Sequence, residues 1–410
     1  MGPGVRRITR VFRARRPSTL AVVPDVIIVG GAANGWATAY HLLRLDPSLT
    51  VIVVEKDPTL RYSSTMLSDG NVRIQFNLEE NIRISRYAME VLEDFAETMA
   101  VGDFRPDPKL RKQGNLFLVD ETGKDAALAG LATQQRLGCD SMWLDMADIA
   151  SRWPALASET LIGGTFGPSD GSVDPAAVVE GYRRKSLEMG ATSHVGEVVS
   201  LTADGGKVTG VTLAGGATLA GDVVVVAAGA WSAALLQTVG VDLPVDPVMR
   251  TVYVVRAAVE GGASLPSVFL PSGVYAIPEH DTFFMAWSTD DDPVGFDFTP
   301  APRDRFYETI WPELVTHLPA FDRLEVVRSW AGLYAQNRLD ANAILGEWPG
   351  VAGLYMATGF SGHGFQQCHA VGRYLAELIT GTDPALDLSR FGPERIIRGE
   401  PYAEHAGRII

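Results

Sequence analysis

Two glycine-rich stretches carry the chemistry that this chain can be expected to perform. The first, Gly30-Gly31-Ala32-Ala33-Asn34-Gly35, follows a run of apolar residues; the second, Gly359-Phe360-Ser361-Gly362-His363-Gly364-Phe365-Gln366, comes about 330 residues later after another. Glycines at a strand-to-helix turn let the backbone amides of the helix start approach a pyrophosphate. Gly30 and Gly35 stand at the first and third positions of the dinucleotide fingerprint, Ala32 takes the middle one, and Gly31 beside it absorbs part of the turn. Glu55 lies 20 residues after Gly35, where an acidic side chain accepts hydrogen bonds from an adenosine ribose. Alone, the first stretch leaves NAD and FAD open, as well as a helix packed closely on a strand by small residues. The second, read as the other end of the same site, decides for flavin.

The elements that must position these residues are legible in outline. Residues 25–30 read as a strand buried in a parallel sheet, 33–45 as a helix and 51–54 as the second strand of a βαβ unit. A polar loop with Ser63, Ser64, Thr65 and Arg73 follows, then a long helix expected over 79–99, a strand over 110–119 and a helix over 126–137. Asp174-Pro175 is a cap followed by a first-turn proline, predicting a helix over 176–188. Residues 195–219 pattern as a small β-meander, and 223–226 as another buried strand running into Ala227-Ala228-Gly229-Ala230-Trp231-Ser232. From 248 to 328 the texture changes to alternating strands at 251–255, 267–270 and 283–288, which suits an antiparallel sheet with one covered face. A helix over 371–379 closes the chain.

This order predicts an α/β protein: a Rossmann-like FAD-binding domain, a parallel sheet with helices, into which an antiparallel β-rich substrate domain is inserted. The expected division is 25–105, 165–247 and 330–395 for the FAD-binding domain, 106–164 and 248–329 for the substrate domain, and 396–410 for a C-terminal tail. Residues 1–24 hold six arginines and no acidic residue. They are expected to be a disordered basic extension, with the resemblance to an organellar transit peptide kept open beside a bacterial cytoplasmic location.

Composition narrows the function further. With 46% hydrophobic and 20% charged residues the chain is globular, and no apolar run reaches the roughly 18 to 20 residues of a membrane span. A formal charge of −14 argues against non-specific nucleic-acid binding. Two distant cysteines, Cys139 and Cys368, and seven scattered histidines present no disulfide framework and no metal motif.

Four segments, 30–35 with Glu55, 63–65, 227–232 and 359–365, together resemble the D-amino acid oxidase and sarcosine oxidase superfamily of FAD-dependent oxidoreductases. Ser68-Asp-Gly-Asn-Val-Arg-Ile-Gln-Phe, Trp330-Ala-Gly-Leu-Tyr, Ser361-Gly-His-Gly-Phe-Gln-Gln and Arg390-Phe-Gly are similar to the branch of the mitochondrial FAD-dependent oxidoreductase domain protein involved in complex I assembly. The resemblance implies non-covalent FAD contacted also by Lys56, Val198, Ala228, Gly229, Trp231 and Gly332. It implies a small amine or amino acid as substrate, with oxygen or a quinone-type carrier as electron acceptor. It departs from the sarcosine oxidases at the two positions that clamp a substrate carboxylate, here Phe76 and Gln366, and at the oxygen-activating lysine, whose strand here holds Phe283, Phe284 and Trp287. A flavin-binding assembly or scaffold protein stays open as the other reading.

Oxidising a C–N bond needs a neutral amine, a hydride path and stabilisation of negative charge on the cofactor's far edge. The amides of a helix starting near Phe365 can supply the last. The candidate substrate-side residues are Arg73, His363, Tyr253, Tyr275, Tyr334 and Gln366. For Arg73 a salt bridge to Glu79 or Glu80 competes; for His363, a hydrogen bond to backbone; for the tyrosines, a place in the core. Arg250, Arg328 and Arg338 are expected to be solvated at the surface, and Arg73 is the one cation expected near the flavin.

Overall fold

A computed structural model of the chain describes residues 25–404. The basic extension at 1–24 and the last part of the expected tail, 405–410, lie outside the described residues. The strand Val26–Val29 is buried along its whole length and lies in the middle of a six-stranded sheet. It pairs in parallel with Val51–Glu55 on one side and Val223–Val226 on the other, so three apolar strands end at one edge. Leu354–Thr358 extends the parallel set beyond Val223–Val226, and Ile344–Glu347 closes that side antiparallel. The helix Ala33–Leu45 starts directly after the first strand, and the closing helix Gly364–Thr380 lies across it. They approach so closely that a Cβ on Gly372 would lie 2.6 Å from the Ala37 carbonyl carbon. Each fully buried leucine in this layer, such as Leu42 and Leu375, contributes about 1.5–3 kcal/mol.

The second layer is an eight-stranded, mostly antiparallel sheet. Its backbone is the pair Val245–Ala257 and Leu324–Asn337, joined from Val245↔Asn337 to Ala257↔Leu324. Thr282–Ala286, Tyr275–Glu279, Ser267–Phe269, Asn115–Val119, Gly163–Gly167 and Met142–Asp145 continue it. Strand alternation gives the sheet two different faces. One carries Tyr253, Val255, Phe283 and Met285 and is packed by Phe306, Ile310, Leu314 and Phe321. The other carries Val252, Phe269, Tyr275, Ile277 and Ala286.

Several elements depart from the expected bounds for local reasons. The helix expected over 79–99 breaks at Asp94 into Glu79–Glu93 and Phe95–Thr98. The strand expected over 110–119 shortens to Asn115–Val119, since Gly114 just before it turns with φ +81° against the Phe166 ring. The strand expected at 251–255 extends to Val245–Ala257, and the closing helix begins at Gly364. The Asp174 cap is present, its carboxylate accepting from the amides of Ala176 and Ala177. The second sheet runs through the division expected at 330, because Leu324–Asn337, with one register shift between Val326 and Arg328, stays paired to its end. Gly163–Gly167 likewise pairs inside that sheet, past the division expected at 164. Among the described residues no helix is long and apolar enough to cross a membrane.

The tail expected from 396 is part of the fold as far as it is described. Glu404 is buried, and its carboxylate accepts from the amides of Asn77 (2.7 Å) and Leu78 (3.1 Å) and from Asn81 Nδ2 (2.7 Å). It thus serves the uncapped start of the helix Glu79–Glu93, whose N-cap Leu78 has no side-chain acceptor of its own. Behind it, Asp340 receives Arg395 Nε at 2.7 Å and the amides of Asn342 and Tyr402, all buried or half-buried. Glu404→Ala removes the carboxylate acceptor from two amides and from Asn81 Nδ2, which keeps its bond to Asn342 Oδ1. It should cost about 1–3 kcal/mol of unfolding free energy, measured by denaturant titration of the FAD-loaded protein, and an unchanged midpoint would show that the tail is not structural.

Candidate active site

The site is built where the carboxyl ends of the central strands meet two helix starts. Gly30 turns out of its strand with φ +108°, and a Cβ there would lie 2.3 Å from the Ala227 carbonyl oxygen. Gly35 sits over the same turn, its Cβ position only 1.9 Å from the Gly30 oxygen. The helix that follows has Ala32 as N-cap, no side-chain cap and no acidic residue in its first turn. The closing helix repeats this, with His363 as N-cap and no side-chain cap. Asn34 ties the two starts together by donating from Nδ2 to the Gly364 oxygen at 2.9 Å, while its own buried Oδ1 has no partner.

Both helix starts open on one cavity of about 540 Å³, within the range of small-molecule and cofactor sites. Its floor is formed by Gly30, Ala32, Asn34, Ala228 and Gly229, and its far end by Phe360, Gly362, His363, Gly364, Phe365 and Gln366. Glu55, Lys56, Val198 and Trp231 line the end near the second strand, with the Lys56 ammonium 3.7 Å above the Trp231 ring. Ser63, Ser64, Thr65 and Gly332 form a side wall, and Ser64 Oγ donates to the Leu333 oxygen at 2.6 Å. Glu55 accepts from the amides of Gly31 (2.8 Å) and Asp57 (2.9 Å), which leaves lone pairs on both oxygens.

Some residues assigned from sequence do not reach the wall. Gly31 instead orients Glu55, Ala33 is packed in the core, and Gly35 spaces the helix from the turn. Gly359 lies over Asn337 and Ile344, and Ser361, at φ +49°, turns its Oγ to accept from the Asn337 amide. Tyr253 is a correction as well. It stands on the opposite face of its strand from Val252, is 1% exposed, and donates to the Pro302 oxygen in the outer core.

The remaining substrate-side candidates converge. Arg73 is buried, its amide donates to Gln366 Oε1 at 2.8 Å, and its Nη2 lies 3.0 Å from His363 Nε2. Burial, opposed by nearby acids, brings its pKa down to about 10, so it remains a cation. Burial first and Arg73 second push His363 down to about 3, so the ring is neutral. A guanidinium can only donate, which assigns Nε2 as acceptor and the ring proton to Nδ1. Glu79 pairs with Arg83 and Arg136, and Glu80 with the Tyr402 hydroxyl, so the surface salt bridge considered for Arg73 does not form. Tyr275 donates to Asp69 Oδ2 at 2.9 Å, and burial raises the pKa of both. Tyr334, also raised by burial, titrates at about 12. Asp170 holds the Arg73 loop through the Ile74 amide and Gln75 Nε2, and burial lifts it to about 7.

Two further residues stand elsewhere than the sequence suggests. Phe283 faces the outer core with Phe321, so only part of the aromatic strand faces inward. Arg250, expected at the surface, lines the cavity, its guanidinium 5.4 Å from the Tyr334 ring centre. Arg73 is therefore not the one cation there. The signal was available: Arg250 lies two residues before Val252 and so shares its face.

A parallel nucleotide-type sheet and one face of a second sheet enclose one cavity, the arrangement of a flavoprotein oxidoreductase. The chain belongs to the family described as DAO, FAD dependent oxidoreductase, whose pattern matches residues 25–378, and its cofactor is FAD. It is 34% identical to FAD-dependent oxidoreductase domain-containing protein 1 of Xenopus laevis over 93% of this chain and 84% of that one. It is 29% identical to glycine oxidase of Pseudomonas putida over 90% and 98% of the two chains. Among solved structures, L-proline dehydrogenase from P. horikoshii superposes with a TM-score of 0.82 at 24% identity, covering 93% and 100%. Glycine oxidase from Geobacillus kaustophilus gives 0.77 at 25% identity, covering 90% and 98%.

The residues present fit this cofactor: two uncapped helix starts, a glycine cradle that a Cβ would fill, and a carboxylate with unused lone pairs. Glu55→Ala should weaken FAD by about 1.5–3 kcal/mol through loss of charge-assisted bonds. Fluorescence titration of the apoprotein checks this, and an unchanged affinity would place the ribose elsewhere.

Proposed function

We propose that the chain oxidises the C–N bond of a small amine or amino acid. The observation that carries this is the pairing, across one cavity, of the closing helix start with the inner face of the second sheet. In this reading Gly30, Ala32 and Asn34 hold the pyrophosphate, Glu55 and Lys56 the adenosine, and the 360–366 segment the flavin edge. FAD bound there supplies the two-electron acceptor for a hydride leaving the carbon next to nitrogen. The free amides of the closing helix favour negative charge at that edge by about 1 kcal/mol, or roughly 2 when partly buried. Arg73, held over His363 and the Phe76 ring, keeps a fixed positive charge behind it. Phe269, Tyr275, Ile277 and Ala286 cover the substrate space and keep water from it. The nitrogen lone pair expels the hydride, and water hydrolyses the iminium ion so formed, after release, to a carbonyl compound and an amine or ammonia. The residues need to bind and orient a neutral amine; none must act as a strong base.

The deciding experiment is an anaerobic screen of amines and amino acids for bleaching of the flavin absorbance, and a complete lack of bleaching would end this reading. With a substrate in hand, the rate of bleaching should rise with pH and level off above the pKa of the substrate amine. His363 at about 3 and Tyr334 at about 12 do not titrate in this window, while Asp170 at about 7 does and Arg73 at about 10 does at its upper end. A step that stays near pH 7 for every substrate would assign the dependence to Asp170 rather than to the amine.

For the acceptor we infer a carrier of the quinone type rather than oxygen. The strand Thr282–Ala286 turns Ala286 toward the cavity, with no lysine, and the guanidiniums of Arg73 and Arg250 are engaged by His363 and Asp292. After anaerobic reduction, colour should return more slowly with oxygenated buffer than with an artificial quinone. Fast return with oxygen that persists in Arg73→Ala would defeat this assignment.

A further inference from the structure

Asp69 is the carboxylate of the substrate space, and hydride transfer does not call on it. The other acids that line the cavity, Glu55, Asp57 and Glu197, belong to the segments at its adenosine end. Asp69 stands on the loop between Ser63 and Arg73, where its Oδ2 accepts the hydroxyl of Tyr275, one of the residues that cover the substrate space, at 2.9 Å. Its Oδ1 accepts the Asn71 amide at 3.0 Å. The loop is fixed on both sides of this bond. Gly70 turns with φ +76°, where a Cβ would lie 2.3 Å from the Val173 oxygen, and the Asn71 side chain donates to Asn115 Oδ1 at 3.1 Å.

An ionised carboxylate can accept about four hydrogen bonds, so each oxygen of Asp69 keeps an open position. The residue is half-buried on the cavity wall, within reach of a ligand. Its charge is also uncompensated. The two guanidiniums of the cavity are balanced elsewhere, Arg250 by Asp292 and Arg73 by Glu404 and Asp170, and among the described residues no ion pair involves Asp69. Burial raises its pKa against the pull of its own donors, which marks a negative charge that a cationic ligand would stabilise. The surroundings suit such a ligand. Phe269 and Tyr275 line the same space with ring centres 5.9 Å apart, and Tyr334 is near enough that Asp69, after burial, is what holds its hydroxyl protonated up to about 12. A carboxylate among aromatic rings binds an alkylammonium by hydrogen bonds and by the ring faces together.

We propose that Asp69, held by Tyr275 and Asn71, is the seat of a cationic nitrogen, so that the substrates carry a protonated nitrogen besides the one that is oxidised, as diamines and basic amino acids do. The two nitrogens are different atoms: the reacting one must be neutral to expel the hydride, whereas one bound to a carboxylate keeps its proton. The word substrate rests on the amine-oxidising reading, but the site itself is testable without turnover. Asp69 contacts the ligand; Tyr275 positions the carboxylate.

The test uses the FAD-loaded protein at about pH 8, where an alkylamine is a cation, and follows perturbation of the flavin spectrum on titration with tert-butylamine and with tert-butanol, its neutral isostere. Neither carries a hydrogen on the carbon next to its heteroatom, so neither can be oxidised. The amine should bind more tightly than the alcohol to the native protein. In Asp69→Asn the Kd of the amine should rise by about 10- to 100-fold, the loss expected for one charge-assisted contact, with that of the alcohol unchanged. If Asp69→Asn does not retain FAD, Asp69→Ser carries the test: its hydroxyl can still accept from the Asn71 amide but brings no charge, and the Kd of the amine must rise likewise. In the anaerobic screen a short linear diamine should bleach the native protein at a lower concentration than the monoamine of the same length, and Asp69→Asn should remove that difference. Equal binding of amine and alcohol, amine binding that ignores both substitutions, or a native protein that does not distinguish diamine from monoamine overturns the proposal. Bleaching by monoamines alongside amine binding that ignores Asp69 would remove the site and leave the amine-oxidising reading, whereas failure of every amine to bleach, with tert-butylamine binding still dependent on Asp69, would do the reverse.

Discussion

Backbone proximity at the end of the first strand is the constraint on which the rest of the molecule depends. The Gly30 turn must pass within contact of Ala227 on one side and of Gly35 on the other, and any side chain at Gly30 or Gly35 would overlap a carbonyl oxygen. Because that space is denied to side chains, three strand ends and a helix start reach the same few ångströms. The position of the helix Ala33–Leu45 then determines where the closing helix can lie, through the contact of Gly372 with Ala37. The second helix start is placed opposite the first by packing alone, and the Asn34 bond to the Gly364 oxygen fixes their separation. Overlap on this scale is not relieved by small shifts, since a close-packed interior has no free volume to yield.

The sequence made the parallel layer legible because its signals are local. Val26–Val29 and Val223–Val226 are apolar throughout, as strands covered on both faces must be, and the glycine turns follow them directly. The acidic residue at the end of Val51–Glu55 sits at a fixed distance along a βαβ unit whose length varies little. What was harder to read depends on which face of a strand a residue occupies. Tyr253 and Arg250 are three residues apart on the same strand and therefore face opposite ways, yet residue type alone suggested the tyrosine for the site and the arginine for solvent. The other misreadings concern contacts between distant parts of the chain. Glu404 capping a helix more than 300 residues earlier leaves no trace in local pattern.

Burial has a chemical as well as a structural result. His363 and Arg73 are buried neighbours at the cavity wall, and the histidine yields its charge so that the arginine can keep its own. The same low polarity keeps the hydroxyls of Tyr275 and Tyr334 protonated. The cavity thus presents a neutral histidine and protonated tyrosines over the range of pH in which a substrate amine changes most, while the charge of Arg73, brought down to about 10, is lost only at the top of that range.

The strand Val245–Ala257 has a consequence for how this protein can change. Its even-numbered residues from 248 to 254 share one face and its odd-numbered residues the other, so neighbours in the chain answer to different demands. Replacement of Tyr253 perturbs an outer core that ligands never meet, whereas replacement of Arg250 or Val252 alters the wall of the cavity while leaving that core intact. Selection on ligand preference can therefore act at Arg250 and Val252 almost independently of selection on the packing of Tyr253. Laboratory libraries restricted to those two positions would sample new specificities with a smaller share of collapsed variants than libraries that randomise the strand throughout.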